Sequence, residues 1–140
     1  MYLLSGASPA LSLTLSNLTV TGNSAGGITL SNGALTLRNS TVSNNGAEGG
    51  LTLYGSMAAD LGTAASPGGN TFTGNTGPQL NSIVTAGQTV NAVGNTWKPS
   101  VQGADANGHY SLPPAFTPVP KVGPTNGANY QIFNASTLNL

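Results

Sequence analysis

The chain has 140 residues, 38% hydrophobic and only 4% charged, with a formal net charge of zero and no cysteine. That length fits about one domain with a modest core. Nucleic-acid binding is excluded because it needs a basic stripe against phosphates and the only cations are Arg38, Lys98 and Lys121; disulfide frameworks and thiolate metal sites go with the missing cysteines.

Where a soluble domain carries about 25% charged residues, this one carries Asn, Thr, Ser and Gly, the residues of turns and outward strand positions. Disorder goes with low hydrophobicity and high net charge, so the chain is expected to fold. Its first twelve residues, MYLLSGASPALS, lack a charged leader region, and their apolar stretch is too short for a signal peptide or a membrane span. An export signal, for a secreted chain, then belongs to a removed leader or a longer parent.

In chain order, the first element is YLLSG (Tyr2 to Gly6). Next comes LTLSNLTVTGN (Leu13 to Asn23), which returns as LTLRNSTVSNN (Leu35 to Asn45). Between and after them stand GGITLSNG (Gly26 to Gly33) and GGLTLYGS (Gly49 to Ser56), so that Ile28 lies over Leu51 and YLLSG over ITLSN, with Tyr2 on Ile28. Further on, GNTFTGN (Gly69 to Asn75) and GNTW (Gly94 to Trp97) extend the register, and LNSIV (Leu80 to Val84) lines up with LTLYG. Val20, Val42, Phe72 and Trp97 then form one column. Such a fixed-order repeat is the signature of a solenoid, each unit burying its faces against its neighbours.

Within a coil the alternation has period two: Leu35, Leu37 and Val42 inward, Thr36, Arg38, Thr41 and Ser43 outward. Helical periodicity is absent. Asn-Gly, Gly-Asn and Asn-Asn steps mark corners, where left-handed backbone is tolerated, and Asn23, Asn45 and Asn75 are placed to stack as an amide ladder. The segment Ser56 to Gly69 reads as a loop that lengthens the third coil. After Trp97 the repeat stops; Pro99 to Pro124 is proline-rich and extended, and Tyr130 to Leu140 is apolar again and reads as a strand. The expected architecture is an all-β parallel β-helix of about four coils over residues 1–97, with residues 98–140 an extended Pro/Gly-rich tail.

The phrases DLGTAASPGGNTFTGN (Asp60 to Asn75) and AVGNTW (Ala92 to Trp97) resemble the C-terminal coils of bacterial right-handed parallel β-helix proteins, the pectin-lyase-like superfamily, especially secreted members of unassigned function. The resemblance spans about residues 11 to 97 and implies a right-handed helix with three parallel sheets; that hand also follows the rule for parallel crossovers. Lyases of that superfamily hold calcium with clustered carboxylates, and its hydrolases use several Asp on adjacent coils. Hydrolysis needs paired carboxylates, whereas this chain has only Glu48, Asp60 and Asp105, read at a corner, in the inserted loop and in the tail. No catalytic residue, metal ligand or cofactor is expected.

The single histidine, His109, reads as a turn residue. Phe72 and Trp97 belong to the inward column rather than to a sugar platform, while Tyr54 and Arg38 point outward. Sequons occur at Asn17, Asn39 and Asn134. Thr19-Val20-Thr21, Thr41-Val42-Ser43 and Thr71-Phe72-Thr73 form outward hydroxyl rows resembling ice-binding β-solenoids.

Tyr2, Leu3 and Leu4 start inside a coil, leaving a strand edge that is a template for another chain. The leading expectation is a non-enzymatic structural or adhesive module, extracellular or at the cell surface, associating with itself as a closed oligomer or filament through Tyr2, Leu3 and Leu4. A recognition part of a carbohydrate-active β-helix, with a polysaccharide partner, is the alternative, and ice binding the second.

Overall fold

The computed structural model describes residues 2–4, 11–85, 88–97, 130–132 and 137–139, and every regular element among them is a β-strand. Strands β1 (Tyr2–Leu4), β2 (Ser12–Ser16) and β3 (Thr19–Thr21) are followed by two long ones, β4 (Gly26–Arg38) and β6 (Gly49–Asp60), which flank β5 (Thr41–Ser43). Then come β7 (Thr71–Thr73), β8 (Leu80–Val84), β9 (Thr89–Asn91), β10 (Thr96–Trp97), β11 (Tyr130–Ile132) and β12 (Thr137–Asn139). All pairings are parallel and join strands one coil apart. The chain is a parallel β-solenoid.

One wall is a four-stranded sheet in the order β10-β7-β5-β3. Its central column is Val20, Val42, Phe72 and Trp97, as the repeat predicts. Adjoining corner residues are offset by 22, 30 and 25 residues. Four stacked strands enclose about three turns, so the expected four coils are corrected to about three.

The other sheet has eight strands and makes two walls, because β4 and β6 run through both and bend at Asn32 and Gly55, where φ is 59° and 67°. The Ser56 N–H donates to Asn32 Oδ1 at 3.0 Å and fastens one bend to the next. Before the bend β1, β4, β6, β8 and β11 stack in that order; after it β2 pairs with β4, and β6 with β9 and then β12.

After the bend the strands alternate as a one-sided wall should: Leu35, Leu37, Met57 and Ala59 are buried while Ala34 and Ala58 are exposed. Before the bend there is no alternation. Gly27 to Leu30 and Gly49 to Leu53 are buried without interruption, a wall covered on both sides, as parallel strands commonly are.

Three expectations are corrected. Ser56 to Gly69 is not one loop: Ser56 to Asp60 complete β6, with Met57 and Ala59 in the core, and the insertion begins at Leu61 and closes through a Thr63–Ser66 turn. In β1 the register is one residue from the expected one, with Tyr2 on Thr29, Leu3 on Leu30 and Leu4 on Ser31. That shift puts Leu3 in register with Leu30 and, through it, Leu53. The strand expected in Tyr130 to Leu140 is two, β11 on β8 and β12 on β9. Residues 98–129, with the proline-rich stretch, lie outside the described residues.

Candidate functional site

Two corners carry the same device, a left-handed residue followed by a ladder residue. At the corner leaving the four-stranded wall the pairs are Gly22-Asn23, Asn44-Asn45 and Gly74-Asn75; at the corner entering it they are Asn39-Ser40, Gly69-Asn70 and Gly94-Asn95. Every non-glycine residue with positive φ among the described residues is an Asn: Asn17, Asn32, Asn39 and Asn44. Asn is the side chain that best tolerates that region.

The Asn23–Asn45–Asn75 ladder forms as expected. Asn23 donates its main-chain N–H and Nδ2 to Asn45 Oδ1 at 3.1 and 2.8 Å. Asn45 repeats this toward Asn75 Oδ1 at 3.0 and 2.9 Å, and Asn75 Nδ2 donates to Val42 O and to Gln79 Oε1. A second ladder, not anticipated, runs at the other corner: Leu18 N–H to Ser40 Oγ, Ser40 N–H to Asn70 Oδ1, and Asn70 N–H and Nδ2 to Asn95 Oδ1. The recurring Gly-Asn step in GGNTF and VGNTW was the signal, masked at Ser40 by the change of residue. Both ladders point one way, each acceptor facing the coil before it.

In the first coil Leu13, Leu15, Leu18 and Val20 are all half-buried, whereas Leu35, Leu37 and Val42, the partners of Leu13, Leu15 and Val20 one coil on, are buried. Toward the other end Val84 and Val90 are buried under the strands stacked beyond them, β11 and β12. The first coil presents an apolar rim. The rim is edged by β2 and β3, which among the described residues pair on one side only, β2 with β4 and β3 with β5. Tyr2, Leu3 and Leu4, the residues expected to mediate self-association, form β1 at the outer end of the β1-β4-β6-β8-β11 path, on the same side of the stack.

The charged groups are arranged otherwise than expected. Asp60 closes β6 rather than sitting in a loop, and its Oδ2 takes a 2.7 Å bond from Arg38 Nη2 while its carbonyl accepts from Nη1 at 2.7 Å. Arg38 is therefore half-buried and engaged, not a free surface contact. Glu48 is exposed at a corner, and no group of three or more His, Cys, Asp or Glu comes together among the described residues. Tyr54 is exposed as expected. Asn17 and Asn39 are exposed at successive corners. Asn134, His109, Asp105 and Lys98 lie outside the described residues.

The hydroxyl rows also align. Thr19, Thr41, Thr71 and Thr96 form one column and Thr21, Ser43 and Thr73 the other. Ser43 interrupts the second: it is buried, and its hydroxyl donates to Thr21 Oγ1 at 3.3 Å. None of the described residues forms a helix long and apolar enough to cross a membrane. The chain matches no family model, no curated protein and no solved structure.

Proposed function

We propose that this chain is a non-enzymatic structural or adhesive β-solenoid module of the right-handed, pectin-lyase-like kind, working outside the cell and associating with itself through its first coil. The observation that carries the reading is the apolar rim of the first coil: Leu13, Leu15 and Val20 are half-buried where Leu35, Leu37 and Val42, their partners in the next coil, are buried. Burying such a rim against a partner recovers roughly 25 cal/mol for each Å² of apolar surface removed from water. The neighbouring strand edges offer main-chain groups to the same partner.

A structural role is favoured by how the charges are used. Arg38 and Asp60 bind each other between adjacent coils, and Glu48 is exposed at a corner. The extracellular setting rests on the uncharged, Asn- and Thr-rich composition and on the resemblance of the PGGNTF and AVGNTW phrases.

Light scattering across a concentration series tests self-association. The expected result is a mass above the 13.8 kDa of one chain, returning to that value in Leu3→Lys/Leu4→Lys, substitutions on the edge strand β1. A mass of 13.8 kDa at every concentration overturns the proposal. Ice binding is a second reading, favoured by the in-register Thr19–Thr41–Thr71–Thr96 column, and thermal hysteresis in dilute solution tests it.

A further inference from the structure

We infer that the open first coil closes on a second copy of this chain through β2, the two strands running antiparallel about a two-fold axis at Thr14. This pairing rests on the self-association proposed above and adds its symmetry and its register.

Strand β2 reads Ser12-Leu13-Thr14-Leu15-Ser16, the same in both directions, and its exposure is just as symmetric: exposed, half-buried, exposed, half-buried, exposed. An antiparallel partner centred on Thr14 sets Thr14 against Thr14, Leu13 against Leu15 and Ser12 against Ser16 of the second copy. Residues directly opposite in an antiparallel pair lie on the same side of the sheet. The half-buried leucines of both copies therefore stay on the core side and cover each other, while the exposed Ser and Thr stay outside. A one-residue slip in register would set leucines against serines or threonine and face the apolar side of one copy to water.

Nothing on this edge blocks the pairing. Sheet edges that must stay single carry Lys, Pro or a bulge, and β2 and β3 contain no charged residue and no proline. A second copy is the occupant that the edge itself specifies, because a palindromic strand is its own complement. Symmetry follows from the same self-complementarity, because a contact between two like edges closes as a dimer.

The chain has no cysteine, so single cysteines on the exposed positions of β2 report the register. Across the axis the two Thr14 Cα atoms stand about 4.5 to 5.5 Å apart, within the roughly 7 Å limit for a disulfide. The two Ser12 Cα atoms stand about 14 Å apart, four residues along the strand. The experiment is mild oxidation of the full chain carrying Thr14→Cys, Ser12→Cys, or an equimolar mixture of Ser12→Cys and Ser16→Cys, read on a non-reducing gel beside the native mass in solution.

Thr14→Cys is expected to cross-link, Ser12→Cys alone to remain uncross-linked, and the mixture to cross-link, with native masses of twice 13.8 kDa. Thr14→Lys, on an exposed position, is expected to halve the native mass and leave the circular dichroism spectrum unchanged. Three results overturn the pairing while leaving self-association standing: a dimer in which Thr14→Cys does not cross-link, equal cross-linking by Ser12→Cys alone, or assemblies that grow beyond two chains. A monomer at all concentrations overturns the pairing and the proposed function together.

Discussion

Phe72 and Trp97 stack face to face one coil apart, with ring centroids 4.4 Å apart and planes 9° from parallel. Both are buried in the column that begins at Val20 and Val42. They are the two largest side chains of that column.

Trp97→Ala is expected to destabilise the fold by about 3 to 5 kcal/mol, the usual cost of emptying an aromatic site in a core. Urea unfolding measures it. Trp97 is the chain's only tryptophan, so its native emission is expected to be blue-shifted, and a spectrum typical of a water-exposed indole contradicts the column.

Asn75 and Asn23 belong to one ladder and differ in what their loss leaves behind. Asn75 is buried and accepts from both the main chain and the side chain of Asn45. Asn75→Ala is therefore expected to cost about 1 to 3 kcal/mol for each polar group left unpaired. Asn23 is exposed and terminates the ladder, so Asn23→Ala is expected to stay within about 0.5 kcal/mol, as surface changes do. Equal costs in thermal or urea unfolding contradict the ladder's role.

Gly74 is a test of the corner. Its φ is 65°, and a Cβ there would collide with Asn44 Oδ1 in the preceding coil. Gly74→Ala is expected to cost at least about 1 to 2 kcal/mol from the left-handed backbone alone, plus the collision. Asn44→Gly removes the collision without adding backbone strain, so the double variant should recover part of the loss. A double-mutant cycle in urea reads the coupling, and strict additivity contradicts the contact.

The column, the ladder at Asn23 and the strand walls were legible because they repeat: a spacing that recurs and a Gly-Asn step at the same phase specify a coil without any tertiary knowledge. The misreadings occur where the repeat is weakest. YLL has no alternation, so nothing local distinguishes Tyr2 on Ile28 from Tyr2 on Thr29, and only the pairing with β4 fixes it. In Ser56 to Asp60 the small residues Ala58 and Ala59 blur the period, and the turn residues that follow made the strand look like loop. Arg38 and Asp60 are 22 residues apart, and only the completed β6 reveals them as partners. The half-burial of the first coil is a property of packing, which periodicity does not contain.

The Arg38–Asp60 pair is half-exposed, with side-chain exposures of 18% and 38%. Exposed ion pairs contribute up to about 1 kcal/mol, so Asp60→Asn is expected to lower stability by less than that and to lose its effect in high salt. Unfolding at two ionic strengths checks this.

Hydrogen–deuterium exchange at low and high protein concentration tests the assembly edge most directly. Among the amides of β2 and β3, those turned away from β4 and β5 are expected to exchange quickly in dilute solution and to become protected as concentration rises, while Leu35, Leu37 and Val42 stay protected throughout. Protection of β2 that is the same at both concentrations contradicts the claim that the first coil is where this chain meets its partner.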